Sequence, residues 1–206
     1  VWHMPLLKSK GSDLEKGWIS SNLGVSYSKN NDFNTNLSYT GTNKDNSIAD
    51  YFSELATKNY KSPSTLPLGT LERMAYDNYL IGYDRSGYYF PETDINNIQT
   101  RADNRKGTQS EVNFTAGANY SNTFYVGASI GLASLNYLSD AEFKESGFNV
   151  TENNNYALSF RQNQNTQGTG VKGKVGVIFK PNTSVRLGAT LETPTWYTID
   201  DSYTEV

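Results

Sequence analysis

The chain has 206 residues, no cysteine and a formal net charge of −3. These totals exclude disulfide frameworks, thiolate metal sites and cysteine nucleophiles, and leave no basic field to attract nucleic acid by counterion release. A mean hydropathy of −0.63 is poor for a globular core, yet 15 Tyr and 9 Phe are too many aromatics for a disordered chain.

Strands with one apolar and one polar face reconcile these facts. No run of roughly 18 apolar residues is present, so no transmembrane helix is predicted. The opening Val1-Trp2-His3-Met4-Pro5 lacks the charged and apolar regions of a signal peptide. The expectation is part of a longer protein.

In chain order, strict alternation begins at 18–27, with Ile19, Leu23, Val25 and Tyr27 on one face. A second strand, 33–39, groups Phe33, Leu37 and Tyr39. Between them Lys29-Asn30-Asn31-Asp32 predicts a tight turn. A long connection follows, residues 42–107. Inside it Ile48, Tyr51, Phe52 and Leu55 repeat at helical spacing, as do Leu71, Met74, Ala75 and Tyr79. The breaker Ser62-Pro63-Ser64-Thr65-Leu66-Pro67-Leu68-Gly69 separates them. Two short amphipathic helices in one extracellular loop are predicted.

Strands resume at 109–120, where Val112, Phe114, Ala116 and Ala118 alternate with Glu111, Asn113, Thr115 and Gly117. After the turn at Ser121-Asn122, Phe124, Val126, Ala128, Ile130 and Leu132 alternate again. The apolar residues then shift to Leu135 and Tyr137, which predicts a bulge or strand end near Ala133-Ser134. A second long connection is expected between Leu138 and about Asn155. The last pair places Val171, Val175, Val177 and Phe179 on one face, turns at Pro181-Asn182-Thr183, and returns through Val185, Leu187, Ala189 and Leu191. Short turns at one end and long loops at the other are the build of an outer-membrane barrel.

Several motifs have a plainer reading. Gly168-Thr169-Gly170-Val171-Lys172-Gly173-Lys174 spells a phosphate-loop pattern, but a strand follows where a helix is required. The single histidine, His3, is terminal, which leaves no metal site, no catalytic triad and no supported heme ligand. The acidic pairs Asp13/Glu15, Glu92/Asp94 and Asp200/Asp201 lack calcium-loop spacing and read as solvated loop charge. Lys172, Lys174, Arg186 and Glu192 lie opposite the valines and leucines. A lipid-facing Lys or Arg costs about 2–4 kcal/mol at the bilayer midplane, so these four are expected to face the lumen.

The segments Asn22-Leu23-Gly24-Val25-Ser26-Tyr27 and Phe114-Thr115-Ala116-Gly117-Ala118-Asn119-Tyr120 carry a resemblance. So does the run from Gly168 to Pro181, with Val185-Arg186-Leu187-Gly188 and Glu192-Thr193-Pro194-Thr195-Trp196-Tyr197. Together the chain resembles the FadL/TodX family of outer-membrane transporters, in particular the Bacteroidetes members often labelled hemin receptors. The resemblance implies an all-β fold, part of a fourteen-stranded antiparallel transmembrane barrel. It implies passive transport of hydrophobic compounds such as long-chain fatty acids across a Gram-negative outer membrane. Family members also carry an amino-terminal hatch, which is expected to lie outside this stretch, along with further strands.

The expected protein is therefore not an enzyme and uses no cofactor. Its partners are outer-membrane lipid, hydrophobic small molecules and, as candidates, other outer-membrane proteins. The expected ligand surface is Ile48, Tyr51, Phe52, Leu55, Leu71, Met74 and Tyr79, because an apolar solute needs a dry concave patch. The alternatives are a receptor or adhesin whose loops grip a partner without transport, and a soluble β-sandwich lectin.

Overall fold

The computed structural model describes residues 1–8, 13 and 15–206. The described chain is mostly antiparallel β-structure. In order it runs β1 (Trp2–Pro5), β2 (Trp18–Asp32), β3 (Thr35–Asn43), α1 (Ile48–Asn59), a 3₁₀ turn (Pro63–Thr65) and α2 (Leu71–Asp77). There follow β4 (Ile81–Tyr83), β5 (Tyr89–Pro91), β6 (Asn97–Tyr120), β7 (Phe124–Asn149), β8 (Asn154–Phe179), β9 (Leu187–Glu192) and β10 (Trp196–Glu205). The main sheet has neighbours β1-β2-β6-β7-β8-β10, with β3 also on β6 and β9 also on β8. This order is an open path. β4 and β5 form a separate pair. The all-β expectation thus holds, and no helix among the described residues is long and apolar enough to cross a membrane.

The chain divides into two compact units. The first comprises Val1–Asn34, Lys106–Leu138 and Asn165–Ser202. Here β2 runs against β6 from Trp18↔Tyr120 to Asp32↔Thr108, and β9 runs against β8 from Lys174↔Glu192 to Phe179↔Leu187. The β6–β7 hairpin closes on Ser121 and Asn122, both left-handed at φ 52° and 53°. That is the two-residue turn whose twist matches its strands. Asn119 secures it, accepting from the Asn122 amide at 3.1 Å, and the Trp18 and Tyr120 rings meet edge-on at 5.3 Å.

The second unit comprises Thr35–Arg105, Ser139–Gln164 and Tyr203–Val206. Its core is Ala49, Phe52, Ala56, Leu66, Ala75, Ile81 and Tyr89. α1 starts on a reciprocal cap: the Ser47 hydroxyl accepts from the Ala49 amide, and Asp50 accepts from the Ser47 amide. Thr70 caps α2. Both loop helices stand where the spacing predicts them. Tyr79 lies past the end of α2, exposed, at φ 56°.

Three local expectations fail for physical reasons. Lys29-Asn30-Asn31-Asp32 does not reverse the chain, because β3 pairs with the earlier part of the same strand β6, from Thr35↔Arg105 to Asn43↔Asn97. The turn chemistry goes into an irregularity instead: Asp32 accepts from the Asn34 amide at 3.1 Å, and the register shifts between Lys29 and Asn31. The connection expected from Leu138 to Asn155 is only the turn at 150–153, since β7 extends to Asn149 and β8 starts at Asn154. Likewise β6 begins at Asn97, so the long loop ends eleven residues before the expected boundary.

No strand end falls at Ala133-Ser134, and β7 runs straight through. Its even-numbered residues stay the more exposed on both sides, Ile130 and Leu132 before it, Asn136 and Leu138 after. The apolar residues change face while the strand keeps its phase.

Candidate functional site

Within the second unit, α1 and α2 oppose the first residues of β8 across an open cleft of about 420 Å³. That volume lies in the range of small-molecule sites. Phe52, Leu71, Met74 and Leu80 form one wall, and Leu158 and Phe160 belong to the other. The Phe52 and Phe160 rings meet edge-on at 6.2 Å, a favoured aromatic geometry. Phe52 is only 5 % exposed and belongs to the core, whereas Met74 is 46 % exposed and free to meet a ligand.

Of the seven predicted loop residues, Phe52, Leu71 and Met74 therefore line one cleft. Ile48 and Tyr51 border a separate recess with Gln99, Arg101, Phe143 and Phe160. Leu55 and Tyr79 line neither. The β8 wall was missed, although Tyr156, Leu158 and Phe160 alternate visibly and form the less exposed face.

A second missed residue is Glu145 of β7, 1 % exposed. Its carboxylate accepts from the Ile48 amide at 3.1 and 3.2 Å, from Gln99 Nε2 at 2.5 Å and from the Tyr156 hydroxyl at 2.7 Å. Ile48 is the first residue of α1, so the carboxylate sits at the positive end of the helix. Tyr156 thus links the cleft wall to the start of α1. Nearby, burial pushes the Tyr89 hydroxyl up to about 12, with Tyr83 and Tyr76 adding to the effect.

The first unit holds the four charged residues expected to face the lumen. Lys172 Nζ lies 2.6 Å from Glu111 and 2.9 Å from Glu192, and Lys174 lies 3.2 Å from the same Glu192 oxygen. Glu111 sits on β6 and Lys172 on β8, with β7 between them. The crossing is possible because β7 presents Gly131 there. A Cβ added at Gly131 would lie 2.9 Å from Glu111 Oε1 and 3.1 Å from Lys172 Cγ. Arg186 stays apart, exposed in the irregular stretch before β9. Glu111 was legible as a residue alternating with Val112, but nothing in the sequence tied it to Lys172.

On the opposite face the large apolar side chains are exposed: Val25, Phe114, Ile130, Val175 and Leu191 among them. The cross-strand pairs Val25↔Phe114 and Val175↔Leu191 put each partner on the same side.

The remaining motifs gain no chemistry. The glycine-rich run from Gly168 lies inside β8 and opens no helix. His3 Nδ1 and Asn22 Oδ1 are 2.6 Å apart. Among the described residues, no three acidic or histidine side chains gather to hold a metal ion. Comparison with protein-family models, curated proteins and solved structures finds no match to this chain.

Proposed function

We propose that the chain is part of an outer-membrane β-barrel of the FadL/TodX type, carrying hydrophobic compounds such as long-chain fatty acids passively across the membrane. The observation that carries this reading is the facing of the first unit. Exposed valines, leucines and phenylalanines occupy one side of the sheet, and Lys172, Lys174, Glu111 and Glu192 occupy the other. A soluble protein rarely exposes so continuous an apolar face, while a barrel wall needs lipid outside and polar groups within. On this reading Lys172, Lys174 and Glu192 face the lumen as a paired network. The loop cleft then serves as the capture site, where each methylene removed from water contributes about 0.8 kcal/mol.

The test is uptake of labelled long-chain compounds, a fatty acid and its alcohol, by cells with and without the full-length protein. Loss of uptake on deletion, with the protein recovered only in detergent, supports transport. Unchanged uptake with retained surface exposure of the loops would favour a receptor or adhesin. Recovery in buffer without detergent would overturn the membrane reading altogether.

A further inference from the structure

The cleft between α1, α2 and β8 is lined by Phe52, Leu71, Met74, Leu80, Leu158 and Phe160, with Asn78 and Tyr156 as the polar side chains on its walls. No lysine, arginine or histidine is among its lining residues. Two cations on the adjoining elements are engaged elsewhere. Arg73 of α2 is held by Asp77 at 2.8 Å, and Arg161 of β8 by Glu142 at 2.9 Å. Behind the wall lies a buried acidic side chain: Glu145 is one hydrogen bond from Tyr156, itself a wall residue. The unit as a whole carries fourteen acidic and nine basic side chains, a formal charge of −5.

A carboxylate entering this cleft would leave water without meeting a counter-charge, and would approach a negative field. Burying an unpaired charge is strongly unfavourable, and discrimination between ligands often rests on such an uncompensated group. A hydroxyl or ester, by contrast, can be satisfied by the side-chain amide of Asn78, which both donates and accepts. We infer that the cleft takes uncharged hydrophobic compounds, such as long-chain alcohols and esters, in preference to their anionic counterparts. This specificity rests on the capture role proposed above. A fatty acid would then enter best in its protonated form.

The experiment is equilibrium binding of tritiated hexadecanol and hexadecanoate to the purified chain in detergent at pH 8. The alcohol is expected to bind about tenfold more tightly, an unpaired charge being the sole difference. Lowering the pH toward the carboxyl range of about 4–5 should strengthen hexadecanoate binding and leave the alcohol unchanged. Met74→Lys, at an exposed lining position, should narrow or reverse the gap. Equal or tighter hexadecanoate binding at pH 8, or a gap untouched by Met74→Lys, would overturn the inference alone. Binding of neither ligand would overturn the capture role as well.

Discussion

Lys172 reaches Glu111 at 2.6 Å across an intervening strand. The pair is largely withdrawn from solvent, with side chains 13 % and 4 % exposed. Removing one member of a buried pair leaves the other uncompensated, at about 3–5 kcal/mol, whereas replacing both is often neutral. Lys172→Met should therefore lower the denaturant midpoint sharply, and Lys172→Met with Glu111→Leu should restore most of it. A double variant as unstable as the single one would show that the pair itself stabilises the sheet.

Gly131 is the gap through which that pair meets. Gly131→Val should destabilise by about 1–3 kcal/mol, the usual result of forcing bulk into a filled space. The effect should shrink in the Lys172→Met background, where the side chain at 172 is no longer tied to Glu111 and both can shift aside. Denaturant unfolding of the four proteins in the cycle measures both terms.

Met74 and Phe52 line the same cleft but are not equivalent tests of it. Phe52→Asp places a charge in the loop core and should unfold α1 and α2. Met74→Asp keeps the core and spoils only the exposed lining. Binding of a neutral alkyl probe should fall about tenfold in Met74→Asp, as expected for a carboxylate set among buried methylenes, with unchanged circular dichroism. Undiminished binding would move the capture site away from this cleft.

Glu145 fixes the start of α1 against the sheet. Glu145→Leu leaves the Ile48 amide, Gln99 and Tyr156 without their acceptor. Losing a buried acceptor costs about 1–3 kcal/mol, so amide exchange across 48–59 should accelerate by at least about tenfold. Glu145→Gln, which keeps one acceptor oxygen, should show a smaller change. Protection equal to the parent in both variants would mean that the Ser47 cap alone holds the helix.

Glu92 makes the loop sensitive to pH. Burial holds its carboxyl above the ordinary range, and the negative charge of Glu152 raises it further. A carboxyl raised in the fold stabilises below its unfolded value of about 4.3, and that contribution disappears as pH rises through the folded value. Thermal scans should therefore show Glu92→Gln gaining stability over the parent at pH 7 and losing that advantage near pH 4.

The strands that were legible in the sequence are those with one apolar face. Val171, Val175 and Val177 alternate against Lys172 and Lys174, and β8 is where that pattern places it. The stretch 139–149 has no such rhythm, since both of its faces carry polar residues. Hydrophobic period is silent there, and only pairing with neighbouring strands reveals β7 continuing to Asn149. Residues 97–108 of β6 were missed for the same reason. The helices were readable from their stripes, but not what they packed against, because Phe160 and Glu145 lie about a hundred residues downstream. Turn residues misled at Lys29-Asn30-Asn31-Asp32, where asparagine and aspartate serve a kinked strand as well as they would a hairpin.

The change of face along β7 acts as a ruler. From Phe124 to Leu132 every second residue is apolar and exposed; beyond Leu132 the same side turns to Ser134, Asn136 and Asp140, with Leu138 the one apolar residue among them. Eight steps of a strand rise about 27 Å, and a tilt of about 40° reduces that to about 20 Å of vertical height. On the proposed reading, this sets the hydrophobic thickness the wall can match. It is a short span, suited to a thin bilayer, and a thicker membrane would have to compress around it at a small cost per ångström.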